Sequence, residues 1–224
     1  MSHGIQGLAS YTFSKSLDTA SDEFSALPPT LFTVPALEKG PSTFDYRHAF
    51  NGAVTANLPY RNVFLRDWGV DLLMNALSAP PVNLIFTTSA FGLTVRPDLV
   101  PGAPLYLYDP SSAGGKRINR AAFATVTSPR QGTLGRNALR AFGATQVNFA
   151  LRRDFGITER LRADLRFEAF NILNHPNFAS PNATVTNALF GQSTQMLSRG
   201  LGGLNALYQI GGPRSIQLGA KLRF

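Results

Sequence analysis

Residues able to do catalytic chemistry are few in this chain and badly spaced for it. Its three histidines are scattered: His3 near the start, His48 at the head of an alternating segment, and His175 inside Asn174-His175-Pro176-Asn177. That is too few and too dispersed for a catalytic metal site, and a loop histidine without a second one at i+4 or nearby carboxylates reads as a hydrogen-bonding residue. Gly114-Gly115-Lys116-Arg117 lacks the first glycine of a phosphate-binding loop and the Ser or Thr that should follow the lysine. Ser198, in Leu197-Ser198-Arg199-Gly200, lacks the glycine two positions earlier that a nucleophile elbow requires. With no cysteine in the chain, disulfides, cysteine zinc sites and cysteine nucleophiles are excluded together. The expectation is a protein that is not an enzyme and holds no cofactor or metal.

Composition narrows the class further. The 224 residues amount to about one to one and a half domains of roughly 150 residues. Charged residues make up only 15% and hydrophobic ones 44%, which argues against a disordered tail. No run of about 18 apolar residues occurs, so helical membrane spans are excluded while spanning by strands stays open. The net charge of +8 invites a nucleic-acid partner, but the basic residues are scattered singly from Lys15 to Arg223 without a block or a basic helix face. No nucleic acid is expected. The N-terminus has neither the basic nor the apolar region of a secretory signal, so the chain either stays inside or is a piece of something longer.

The elements that organise these residues have period two. Ile216, Leu218, Ala220, Leu222 and Phe224 alternate with Ser215, Gln217, Gly219, Lys221 and Arg223, the pattern of a strand with one apolar and one polar face. Leu161, Ala163, Leu165, Phe167 and Ala169 alternate with Arg162, Asp164, Arg166 and Glu168, and Val147, Phe149 and Leu151 with Asn148, Arg152 and Asp154. The last two segments, joined by a short loop, form a hairpin. Six strands are expected, at about residues 5–14, 48–58, 68–86, 146–155, 161–172 and 215–224. Pro80 and Pro81 interrupt the third, marking a turn or a stretch beyond the regular ladder.

The connections alternate between short (59–67, 156–160) and long (15–47, 86–145, 172–214). Structureless loops of that length are rare in compact soluble domains, whereas outer-membrane barrels alternate short periplasmic turns with long extracellular loops. Splitting the third strand at Pro80-Pro81 would give seven strands and break that alternation, so six are preferred. Each regular stretch has about the 9 to 11 residues needed to span a bilayer. Arg153 falls on the apolar face, where a charge at the bilayer midplane costs about 2 to 4 kcal/mol. Near the bottom of a descending strand it can snorkel to the headgroups, and Trp68 and Tyr60 fall at the same level, where an aromatic girdle belongs. The charges of the other face, Arg152, Asp154, Arg162, Asp164, Arg166, Glu168, Lys221 and Arg223, read as cross-strand pairs of opposite sign.

The most specific motif is the last one. Gln217-x-Gly219-x-x-Leu222-x-Phe224 has the form of the assembly signal on the final strand of an outer-membrane barrel, which the barrel-assembly machinery reads through strand pairing.

Further strings carry a resemblance. They are Ser10-Tyr11-Thr12-Phe13-Ser14-Lys15-Ser16-Leu17-Asp18, Phe44-Asp45-Tyr46-Arg47-His48-Ala49-Phe50-Asn51-Gly52 and Gly135-Arg136-Asn137. Beyond them come Arg166-Phe167-Glu168-Ala169-Phe170-Asn171-Ile172-Leu173-Asn174-His175-Pro176-Asn177-Phe178 and Pro213-Arg214-Ser215-Ile216-Gln217-Leu218-Gly219. Together they resemble the C-terminal barrel portion of TonB-dependent outer-membrane receptors of the Oar-like kind, which carry a carboxypeptidase-regulatory-like domain. The resemblance implies an all-β, antiparallel up-and-down transmembrane barrel of the outer membrane of a Gram-negative bacterium. It implies a barrel of about 22 strands filled by a plug and importing a scarce small solute with energy transmitted through TonB. Residues 1–224 then supply a C-terminal partial barrel, with the plug domain, signal peptide and TonB-contacting segment absent and residues 5–14 left as an edge. Partners implied are outer-membrane lipid, the barrel-assembly machinery, the rest of the receptor (plug and N-terminal strands), TonB through the missing part, and the solute. The loop from Thr88 to Thr145 is the candidate contact for ligand or partner. An alternative is a surface adhesion or structural barrel that imports nothing.

Overall fold

The computed structural model describes residues 4–21, 35–58, 67–87, 94–197 and 211–224. Six long strands form its main sheet: β1 (Ile5–Phe13), β2 (His48–Asn57), β3 (Trp68–Leu77), β4 (Ala144–Gly156), β5 (Arg162–Phe170) and β6 (Ser215–Arg223). Each pairs antiparallel with its neighbours in the chain, giving an up-and-down meander. Among the described residues the sheet is open, with β1 and β6 as its edges.

Register turns six separate alternations into two continuous surfaces. Gly7, Val54, Leu72, Phe149, Ala169 and Ile216 lie side by side across all six strands. One residue along, Gln6, Thr55, Asp71, Ala150, Glu168 and Gln217 make the corresponding row on the opposite face. Successive side chains of a strand point to opposite faces, so this parity holds along the whole ladder. Strands of 9 to 13 residues are long enough to cross the hydrocarbon of a bilayer when tilted.

Little of the buried core lies in this sheet. Among the described residues, Ala144, Val147 and Ala169 are the buried apolar side chains of the six strands, whereas Leu8, Tyr11, Phe13, Leu218 and Leu222 are largely exposed. The buried cluster belongs to the long connections. Val82, Leu84, Phe86, Val95, Ile118 and Phe123 pack with Leu134, Leu139, Val185 and Phe190 in a lobe at one end of the sheet.

That lobe corrects two expectations. The third strand does not run over residues 68–86 but stops at Leu77. Ser78 still donates its N–H to the His48 carbonyl at 2.9 Å, but Pro80 and Pro81 have no N–H to extend the ladder. The chain then turns away: Pro81–Val82 pairs with Leu139–Arg140, and Phe86–Thr87 with Thr94–Val95. Nor are the long connections structureless. Asp98–Leu99 pairs with Phe123–Ala124, and Tyr106–Tyr108 with Lys116–Ile118, where Gly114 and Gly115 adopt positive φ to close the hairpin. Ladders of two or three residues leave no readable period in a sequence, which is why these were invisible.

Leu84 is fully buried in the lobe core. Leu84→Ala should destabilise the lobe by about 2 to 5 kcal/mol. Hydrogen exchange on the full-length protein should show faster exchange over residues 82–87 and 94–141, with protection of β1 to β6 unchanged.

Candidate functional site

The lobe is braced by arginines of residues 86–145 reaching carboxylates of residues 15–47. Asp45, only 1% exposed, takes one of them, Arg140, together with its own near neighbour Arg47. Arg140 donates to its Oδ2 and, at 2.7 Å, to its backbone carbonyl, while Arg47 Nε donates to Oδ2 at 2.8 Å. The Ser16 N–H donates to Oδ1 at 2.8 Å. Burial opposes ionisation of Asp45, but these donors outweigh it and bring its pKa down to about 2. Asp18 follows the same pattern: burial raises its pKa, and the hydrogen bonds of Arg136, Ser21 and Ser42 bring it below the usual carboxylate range. Arg136 also donates to Ser21 Oγ at 2.7 Å, and Asn137, at φ 53°, donates its side-chain N–H to the Pro41 carbonyl at 2.7 Å.

Arg96 is almost wholly buried. It donates to Leu134 O at 3.0 Å, Leu37 O at 2.8 Å and Glu38 Oε2 at 2.7 Å, so the short helix Pro35–Glu38 is tied to the lobe by a single guanidinium. Tyr106 exchanges hydrogen bonds with the backbone of Arg140, accepting from N at 2.7 Å and donating to O at 2.9 Å; burial raises its pKa. Lys116 lies 5.1 Å from the ring centroids of both Tyr106 and Phe142 and donates to Ala141 O at 3.0 Å. Gly114-Gly115-Lys116-Arg117 is thus a hairpin turn with a packed lysine.

Asparagines fasten the third connection to the top of the sheet. Asn177, fully buried, accepts from the Thr145 N–H at 2.7 Å and donates to the Thr145 carbonyl at 3.1 Å, so one side-chain amide takes the place of a neighbouring strand. Asn171 ends β5 at φ 48°, accepts from the His175 N–H at 3.0 Å, and donates to His175 O at 2.9 Å and Gly212 O at 2.8 Å. His175 serves through its backbone. Gln146 completes the clamp, accepting from the Gly211 N–H at 2.7 Å.

On the polar face, residues directly opposite are often of like charge: Arg152 faces Arg166, Asp154 faces Asp164, and Arg162 faces Arg223. Ion pairing runs off the straight rungs. Arg152 donates to Asp71 at 3.1 Å and Asn57 at 2.7 Å, and Arg223 reaches Asp164 at 3.5 Å and Asp154 at 3.9 Å. Arg166 and Glu168, on one strand, are 3.5 Å apart. On the apolar face His48 Nδ1 and Tyr11 Oη are hydrogen-bonded at 2.8 Å.

The four residues of the terminal motif lie along β6 and its end rather than converging on one point. Gln217 faces Glu168 and Gly219 faces Arg166 on the polar side, while Leu222 faces Ala163 on the apolar side. Phe224 follows the strand and is 100% exposed. The long connection from Thr88 supplies the lobe from residue 94 onward; residues 88–93, with Tyr60, His3 and Ser198, lie outside the described residues. Sequence reasoning missed Arg96, Arg140 and Asn177 as structural keystones. The resemblance strings did contain Asp45, Arg136, Asn171 and Asn177, but nothing in the spacing pairs residues 95 or 118 positions apart.

Because the pKa of Asp45 is lowered on folding, its contribution is complete above about pH 4 and is lost as pH falls toward 2. Pepsin should therefore leave residues 35–47 of the full-length protein uncut near pH 4 and cleave them progressively toward pH 2, whereas Asp45→Asn should be cut there already at pH 4. No curated protein and no solved structure matches this chain. A family model described as an outer membrane beta barrel domain matches residues 1–217. An antiparallel meander with one continuous apolar surface and long connections gathered at one end is what that family requires. The chain belongs to the outer membrane beta barrel domain family, and its place is the outer membrane of a Gram-negative bacterium.

Proposed function

We propose that the chain is the C-terminal part of a TonB-dependent receptor of the Oar-like kind, not an enzyme, and that it works in solute uptake only together with the rest of that receptor. The observation that carries this reading is the open sheet. Among the described residues the six strands leave β1 and β6 as edges without a strand partner, and hydrocarbon does not tolerate unpaired backbone N–H and C=O groups. Further strands and a plug would close and fill the barrel, and the missing part would contact TonB. The lobe fits the second half of the reading, because a packed and ion-paired lobe outside the membrane offers a fixed surface for a ligand.

In this reading β6 is the strand that the barrel-assembly machinery recognises, through Gln217, Gly219, Leu222 and Phe224. Its outer edge is without a strand partner among the described residues, so its backbone donors and acceptors are available for strand addition.

Two outcomes test the proposal. Deleting Phe224 from the full-length receptor should leave it unassembled in the periplasm; a normal heat-modifiable band in the outer membrane would overturn the role given to the terminal strand. Spent medium should be compared for strains with and without the full-length receptor, each with and without TonB. A solute depleted only when both are present supports uptake. Loss of adherence on deleting the receptor, with no such solute, supports the adhesion reading instead.

A further inference from the structure

The apolar face carries one feature that spanning a bilayer does not require. Among the described strand residues, Arg153 is the one Lys, Arg, Asp or Glu side chain on that face. Its guanidinium lies 5.1 Å from the ring centroid of Trp68, its cross-strand neighbour, and 4.3 Å from that of Phe155. Two aromatic rings hold the cation in place, and such contacts strengthen where water is excluded.

Beside it the face is hollowed. A groove of about 400 Å³ runs over β4, β5 and β6, with Arg153 and Trp68 in its lining. Leu151, Phe167 and Leu218 form one row across the three strands, and Arg153, Leu165 and Ala220 form the next. The small side chain of Ala220 lies among larger neighbours, which makes room for a ligand rather than for another side chain. Arg166 and Gly219, which belong to the polar face by register, also border the groove between these rows; of the lining residues whose register places them on the apolar face, Arg153 is the charged one and the others are apolar. Arg153 is three residues from the end of β4 at Gly156, about 10 Å along the strand, so this end of the groove reaches the headgroup level on the side of the short turns. Short turns of outer-membrane barrels are periplasmic.

We propose that this groove binds one phospholipid of the periplasmic leaflet, its phosphate held by Arg153 and an acyl chain lying over Leu165 and Ala220. Charge selects the occupant: a fixed guanidinium at the head of an apolar groove matches an anionic phosphate joined to a hydrocarbon tail. Arginine suits that phosphate because its planar fork gives paired hydrogen bonds. The proposal rests on membership of the barrel family and not on solute uptake.

Native mass spectrometry of the full-length protein in detergent, titrated with dioleoylphosphatidylglycerol, tests it. Wild type should retain one lipid preferentially, Arg153→Gln should bind it about tenfold more weakly, and Ala220→Phe, which fills the groove, should weaken it comparably. Arg162→Gln, at the same end but on the polar face, should bind like wild type. Heat-modifiable migration of each variant checks assembly, and Arg153→Gln keeps the test decisive if Ala220→Phe does not assemble. Equal binding by wild type and Arg153→Gln would overturn the proposal, as would equal loss in Arg162→Gln. Displacement of the lipid by glycerol phosphate at similar concentration would also overturn it, because the groove would then contribute nothing.

Discussion

A strand that crosses hydrocarbon has to find a partner for every backbone N–H and C=O, because each one left alone costs several kcal/mol. Here that demand fixes the register of each strand against the next, and the register fixes the side-chain faces. A slip of one residue between β3 and β4 would bring Arg152 and Asp154 to the face now occupied by Phe149 and Leu151. The apolar row from Gly7 to Ile216 exists because all five pairings keep the same parity. An apolar surface of this size would be an aggregation hazard in water, and against lipid it is the ordinary outer surface of a barrel.

Beyond the membrane the same chain changes its means of cohesion. Leu84, Phe86, Ile118 and their neighbours bury one another as in a soluble domain, and the connections are locked by arginine–carboxylate pairs. These pairs are positional as much as energetic. Asp45 accepts from Arg140, Arg47 and the Ser16 backbone at once, so one carboxylate fixes the entry of β2, the lobe and the exit of β1 relative to each other. Removing an arginine from this cluster leaves the buried Asp45 carboxylate short of compensation, which costs more than the pair itself contributes.

How far the sequence reveals this depends on how far apart the cooperating residues lie. The sheet was legible because alternation is a local property, and Leu218 or Phe167 announces its face through its immediate neighbours. Pro80-Pro81 announced a break, although the preference for an unbroken alternation of short and long connections carried the third strand past it. The lobe was not legible, since two-residue ladders such as Asp98–Leu99 with Phe123–Ala124 carry no period. Its bracing was less so: Arg136 meets Asp18 across 118 positions, and no spacing rule reaches that far. The polar face was legible in part: opposite charges do pair between neighbouring strands, as Arg223 with Asp164 and Arg152 with Asp71, but off the straight rungs. Alternation placed its charges on one side, but only the register shows that Arg152 opposes Arg166 and that relief comes from Asp71 instead.

Two glycines on that polar face separate packing from other demands. Gly69 faces Arg152, and a Cβ there would come within 2.6 Å of the guanidinium carbon, displacing it from Asp71 and Asn57. The guanidinium is the flexible end of its side chain and can move aside, so what glycine at position 69 preserves is the seating of Arg152 on Asp71 and Asn57. Gly219 faces Arg166 in the same manner, yet a Cβ there would meet nothing closer than the Arg166 Cβ at 3.7 Å, an ordinary contact. Packing within this sheet gives no reason for glycine at position 219. A strand read through its backbone by another protein does give one, because a missing side chain lets that partner approach closely. The assembly role proposed for β6 thus draws support from the space around Gly219 as well as from the sequence pattern.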